Sequence, residues 1–92
     1  MKIIGVNFYS GEYEGKAYKG YKIHYTSKFD ETKGVGSACY NAKVPVDVFN
    51  SIMMEVADLK KKEVADVKDL IGLEFKAFYY TQFGKVTGIA WS

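Results

Sequence analysis

A chain of 92 residues has room for one domain, because hydrophobic cores split only above roughly 200 to 250 residues, and 48% apolar residues with 8 Tyr, 6 Phe and 1 Trp are enough for one small core, which excludes disorder. The single Cys39 excludes an internal disulfide, no Cys/His cluster is spaced for zinc, and no run reaches the ~18 apolar residues of a membrane-spanning helix or forms a signal peptide, so a soluble cytoplasmic protein is expected. Net charge is only +2, but it is segregated: residues 1–45 hold seven Lys against four acids, residues 46–74 four Lys against seven acids, and residues 75–92 two Lys and no acid.

Residues 2–9 alternate as a strand with Ile4, Val6 and Phe8 on one face, and Ser10–Gly15 reads as a turn region. The second strand spans about Lys16–Ser27. Tyr21, Ile23 and Tyr25 form its core face, while Lys16, Tyr18, Gly20, Lys22, His24 and Thr26 point the other way. Lys28–Gly34 is expected to be a hairpin loop. In the third strand, about Val35–Val44, Ala38, Tyr40, Ala42 and Val44 are expected inward and Ser37, Cys39, Asn41 and Lys43 outward.

Pro45 ends the sheet pattern. Asp47 is the expected N-cap of an amphipathic helix with Phe49, Ile52, Met53, Val56 and Leu59 on its buried stripe and Lys60–Lys62 at its C-terminal end, where positive charge suits the helix dipole. Val64–Ile71 fits a second short helix or turn stopped by Gly72. Strands over Leu73–Tyr80 and Lys85–Trp91 flank Thr81–Gly84, a hairpin connection with a glycine for a left-handed position. The order β-β-β-α-β-β in one mainly β domain, residues 1–92, is that of a small five-stranded OB-like barrel; an open sheet with the helix across one face and an SH3-like barrel share the pattern.

Catalysis finds little support. One His, with no phosphate-binding loop, nucleophile elbow or metal-ligand spacing, leaves only a possible His24–Cys39 pair on adjacent strands, and a surface His beside a small residue is the simpler reading. No catalytic residue, cofactor or metal is expected, and the chain reads as a non-enzyme. The basic, aromatic flanks are more informative, because single-stranded nucleic acid is held by cations along its phosphates and by rings that stack on its bases. Lys16, Tyr18, Lys22 and His24 of the second strand, Lys19 and Tyr13 near its start, Asn41 and Lys43 of the third, and Phe83 beside Lys85 at the last hairpin tip are the candidate binding residues. The plain alternatives are that Tyr18 covers a hydrophobic edge and Phe83 folds back onto the core. All thirteen basic residues are lysine, so bidentate reading of guanine is absent, and binding is expected to be salt-dependent with little sequence preference.

Gly15-Lys16-Ala17-Tyr18 and Gln82-Phe83-Gly84 are similar to Gly-Lys-Pro-Tyr and Gln-Phe-Gly in the gene V type single-stranded DNA-binding proteins of filamentous phages. The resemblance implies an OB-like homodimer that coats single-stranded DNA during phage or plasmid replication, with Tyr18 in a DNA-binding wing and Phe83 near the dimer dyad, both stacking on bases. This chain departs from that family by inserting the acidic helix of about 46–71 and by lacking its DNA-contacting arginines. A second reading makes the chain a small protein-binding module, such as a phage-borne adaptor or inhibitor, that uses an exposed barrel edge or the acidic helix face, where Glu55, Asp58, Glu63, Asp66 and Asp69 would meet a basic partner. Exposed aromatics among the lysines would favour the first reading, and exposed aromatics along the acidic helix the second.

Overall fold

The computed structural model describes residues 1–28, 32 and 34–91. Its elements are β1 (Lys2–Tyr13), β2 (Lys16–Lys28), β3 (Ser37–Pro45), α1 (Val46–Lys60), a 3₁₀ turn (Val67–Leu70), β4 (Phe75–Tyr80) and β5 (Val86–Trp91). The chain is mainly β with one α-helix, in the expected order. Of the loop expected over 28–34, residues 29–31 and 33 lie outside the described residues.

The strands form two antiparallel sheets, β1-β2-β3 and β4-β5, so the closed barrel of the OB-like expectation does not form. Among the described residues, the start of the chain meets the start of β4 through two backbone bonds between Met1 and Phe75, a bridge between Lys2 and Glu74, and backbone bonds of Ile3 with Gly72 and Leu73. On the other side β5 packs against α1, where the Trp91 indole donates to Glu55 at 3.0 Å, and no hydrogen-bonded ladder joins it to β3.

β1 runs four residues beyond its expected end. Ser10–Tyr13 continue the ladder opposite Lys16–Lys19, and the turn narrows to Glu14 and Gly15, both with positive φ (53° and 79°). That pair gives the turn whose twist matches a two-residue hairpin. Near the start of β1 the register shifts between Ile3 and Gly5. Ile4 is the extra residue of this bulge and is 46% exposed, whereas Ile3 is buried; the simple alternation that placed Ile4 with Val6 and Phe8 fails because a bulge resets the parity. Beyond it Val6 and Phe8 share one face, as expected, and stand opposite Ile23 and Tyr21.

α1 starts at Val46, capped by Pro45 without a side-chain bond, so Asp47 lies in the first turn instead of at the cap. There its carboxylate still favours the positive end of the helix. Phe49, Ile52, Val56 and Ala57 are buried, but Leu59, placed on the buried stripe by its spacing, is 54% exposed at the end of the helix. Phe49 stacks on Tyr21 with centroids 3.8 Å apart, which fixes α1 on the inner face of the three-stranded sheet. The core continues through Ile3, Ile23, Val44, Leu70, Phe75, Phe78, Val86 and Ile89. Each such side chain, fully buried, contributes about 1.5–3 kcal/mol.

The segment after α1 is closed by polar bonds. Asp66 caps the 3₁₀ turn, Asp69 Oδ2 accepts from the Asp66 amide at 2.9 Å, and Lys62 Nζ lies 2.8 Å from Asp69 Oδ1. The hydrogen bond from Lys62, then the bond from the backbone of Asp66, hold the Asp69 carboxyl below its ordinary pKa. A depressed carboxylate pKa supplies stability above the unfolded value, and that stability is lost as pH falls through the folded one. Asp69→Asn is therefore expected to flatten the acid limb of the melting temperature against pH, measured by circular dichroism; an unchanged limb would mean that this cluster does not couple to folding.

Candidate nucleic-acid interface

With α1 on the inner face, the outer face of the three-stranded sheet carries the residues that alternate away from the core. Cross-strand register sets them in rows: Gly5–His24–Asn41, Asn7–Lys22–Lys43, Tyr9–Gly20–Pro45 and Gly11–Tyr18. Lys16, Tyr18, Lys22, His24, Asn41 and Lys43 thus share one surface, as the parity of β2 and β3 predicts. Lys19 does not join them, because it lies opposite Ser10 with the parity of Tyr21.

Two residues on this face, Asn7 and Tyr9, escape the sequence reading. Tyr9 lies across Gly20: a Cβ at Gly20 would stand 2.9 Å from the Tyr9 hydroxyl and 2.8 Å from the Val44 carbonyl oxygen. Tyr18 lies in the same manner across Gly11, whose added Cβ would meet the Tyr18 hydroxyl at 2.5 Å. Each tyrosine fills the space left by the glycine opposite it, one on each strand, and their ring centroids are 6.2 Å apart. Two adjacent rings laid over glycines form an aromatic platform. Tyr18 is 51% exposed, so it does not serve as a buried edge cover.

Cations surround the platform. Lys22 Nζ lies 6.0 Å and Lys43 Nζ 5.7 Å from the Tyr9 ring centroid, within the range of attraction between an ammonium and an aromatic ring. Among the described residues the one lysine–carboxylate ion pair is Lys62–Asp69, on the other side of the molecule's charge division. Among the described residues, no acid thus contacts the lysines of the outer face. His24 Nε2 is hydrogen-bonded to Asn7 Oδ1 at 2.5 Å, which engages the imidazole with β1, while on β3 Cys39 stands opposite Thr26 and Asn41 opposite His24.

The β4–β5 hairpin reaches the same surface. Tyr9, Lys43 and Pro45 line one groove with Gly84, Lys85 and Val86. Its tip is held by Thr81, whose hydroxyl accepts from the amides of Phe83 (3.3 Å) and Lys85 (3.1 Å), while its carbonyl accepts from Gly84 (2.9 Å). Gly84 has φ 82°, the left-handed conformation that glycine adopts without steric cost. Phe83 does not fold back: it is 82% exposed. The arrangement is a row of rings, Tyr18 and Tyr9 on the sheet and Phe83 at the tip, interspersed with Lys16, Lys22, Lys43 and Lys85.

No known protein family, curated protein or solved structure matches this chain. The functional reading therefore rests on its residues. The acidic segment presents a different surface: Glu55 is engaged by Trp91 and Asp69 by Lys62, and the exposed large apolar side chains there, Met54, Leu59, Val64, Val67 and Ile71, include no aromatic ring.

Proposed function

We propose that the protein binds single-stranded DNA with little sequence preference, laying the strand along the outer face of β1-β2-β3 and past the β4–β5 tip. The observation that carries this reading is the pair Tyr9 and Tyr18, spread over Gly20 and Gly11 beside lysines that pair with no acid among the described residues. Stacking on a ring is tolerant of base identity, and ammonium groups neutralise phosphates without reading sequence. Lys22, Lys43, Lys16 and Lys85 are assigned to phosphates, Tyr9, Tyr18 and Phe83 to bases, and Asn7, His24 and Asn41 to polar contacts. No catalytic step or cofactor belongs to this function. The likeness of Gly15–Tyr18 and Gln82–Gly84 to the gene V type proteins supports an OB-like ancestry and a role in coating DNA during phage or plasmid replication.

The test is a fluorescence titration with oligo-dT of about 30 nucleotides at low and at about 0.3 M salt. Quenching that saturates and weakens with salt is expected; no response at low salt would remove the proposal. Each phosphate neutralised on a single strand contributes about −0.7 to the slope of log K against log salt, so the lysines of the face give a slope of about −3. Lys43→Ala is expected to shorten the slope by about 0.7, the share of one phosphate contact. Lys19→Ala, on the opposite parity, is expected to leave it unchanged, and equal effects of the two would contradict the assignment of the face.

A further inference from the structure

The outer face of the three-stranded sheet continues past the row of His24. Lys2, Thr26 and Cys39 form the next row, because the bulge at Ile4 returns Lys2 to the outward parity, and Lys28 stands opposite Ser37 in the row after that. These rows border a cavity of about 410 Å³ walled by Lys2, Thr26, Ser27, Lys28, Ser37 and Glu74. Lys2 and Lys28 are exposed and, among the described residues, neither forms an ion pair; Glu74 faces Lys2 across the backbone bridge. Two ammoniums, three hydroxyls and one carboxylate leave this wall net positive, and among the described residues it carries no aromatic ring.

We infer that this cavity is a phosphate-binding site. Ammonium groups attract phosphate as point charges without demanding one geometry, and serine and threonine hydroxyls donate to its oxygens. A wall without rings cannot stack a base, so the group it recognises is the phosphate with its sugar, in contrast to the tyrosine platform. On the proposed function, on which this second step rests, the phosphates are those of the same bound strand, since the platform and the cavity lie on one face. Lys28 follows Tyr18 by ten residues on β2, ~33 Å at ~3.3 Å per residue, which a strand with bases stacked at ~3.4 Å covers in about ten nucleotides. The strand is held by rings at one end of the face and by its backbone at the other. Glu74, the one acid of the wall among the described residues, opposes this ligand, so removing its charge strengthens binding.

Two titrations of the full chain test it. With inorganic phosphate and no DNA, saturable amide chemical-shift changes are expected at Thr26, Ser27, Lys28 and Ser37. The double variant Lys2→Ala/Lys28→Ala should abolish them with unchanged circular dichroism and melting, while Glu74→Gln should tighten binding by up to about fivefold, the scale of one exposed charge pair. With oligo-dT of about 30 nucleotides, the slope of log K against log salt is expected near −4, because two phosphates join those at the platform, and the double variant should lose about 1.4 of it. Lys60→Ala, on α1, should leave both titrations unchanged. Should the double variant fail to fold, the single variants decide, each costing about 0.7 of slope. Phosphate shifts with a dT slope that the double variant does not alter would overturn the assignment to the strand and leave a site for free phosphate or a nucleotide. Absent shifts together with an unaltered slope overturn the site altogether. A wild type that responds to phosphate and not to dT counts against the DNA reading alone.

Discussion

Tyr9→Ala is expected to weaken binding of oligo-dT by about 1–3 kcal/mol, roughly 5- to 150-fold, the loss typical of removing one stacked base. Tyr9 stands at the centre of the site, between Tyr18 on one side and the groove with Lys85 on the other, and two lysine ammoniums flank its ring. Its contribution to folding is smaller, because the ring lies on the outer surface, over a glycine, and joins none of the core contacts. A cross-strand contact of this kind contributes about 0.2–1 kcal/mol. Tyr9→Phe should retain nearly full affinity, since stacking uses the ring and not the hydroxyl. Anisotropy of a labelled oligonucleotide, with melting curves for each variant, separates the two effects. A Tyr9→Ala protein that binds as tightly as the wild type would place the strand elsewhere.

Tyr18→Ala shares the same logic, and comparison of the single and double variants bears on whether the rings act as one platform. At a centroid separation of 6.2 Å the two rings are neighbours, so their losses are expected to be non-additive. Phe83, separated from them at a hairpin tip held by its own backbone bonds, should add independently.

How far this surface could be read without coordinates depended on parity. In β2 the run Lys16 to Thr26 contains an uninterrupted alternation, and every residue expected outward there is outward. In β1 the inward placement of Val6 and Phe8 already implies that Asn7 and Tyr9 face the other way. What conceals Tyr9 is that a tyrosine in a strand is ordinary; its meaning comes from Gly20 opposite, a pairing fixed by a hairpin whose true turn is the two residues Glu14 and Gly15. Taking the turn to begin at Ser10 shortens β1 and removes the Gly11–Tyr18 row altogether. The bulge at Ile4 is likewise invisible to a period-two pattern, since an extra residue can be recognised only from what it faces. The failure of the barrel to close has a different origin: strand order is local, whereas closure depends on how α1 and β5 fill the space beside β3.

The two platform glycines are expected to respond oppositely to alanine, which distinguishes a structural from a binding role for the rings. At Gly20 the new methyl would stand 2.8 Å from the Val44 carbonyl oxygen, a backbone atom in the centre of a ladder that cannot withdraw without breaking the β2–β3 pairing. Overpacking of this sort costs about 1–3 kcal/mol, only partly offset by the ~0.4–1 kcal/mol that alanine gains by restricting the unfolded chain. Gly20→Ala should therefore lower the melting temperature clearly. At Gly11 the methyl would meet only the far end of the Tyr18 ring, at 2.5 Å from its hydroxyl, and that half-exposed side chain can swing outward. Gly11→Ala is expected to preserve or slightly raise stability while DNA affinity falls toward that of Tyr18→Ala, because the ring is lifted off its strand. Thermal melting and dT binding on both variants check this. If Gly11→Ala melts as the wild type does and also binds as tightly, the flat placement of Tyr18 is incidental and base stacking there is not what holds the strand.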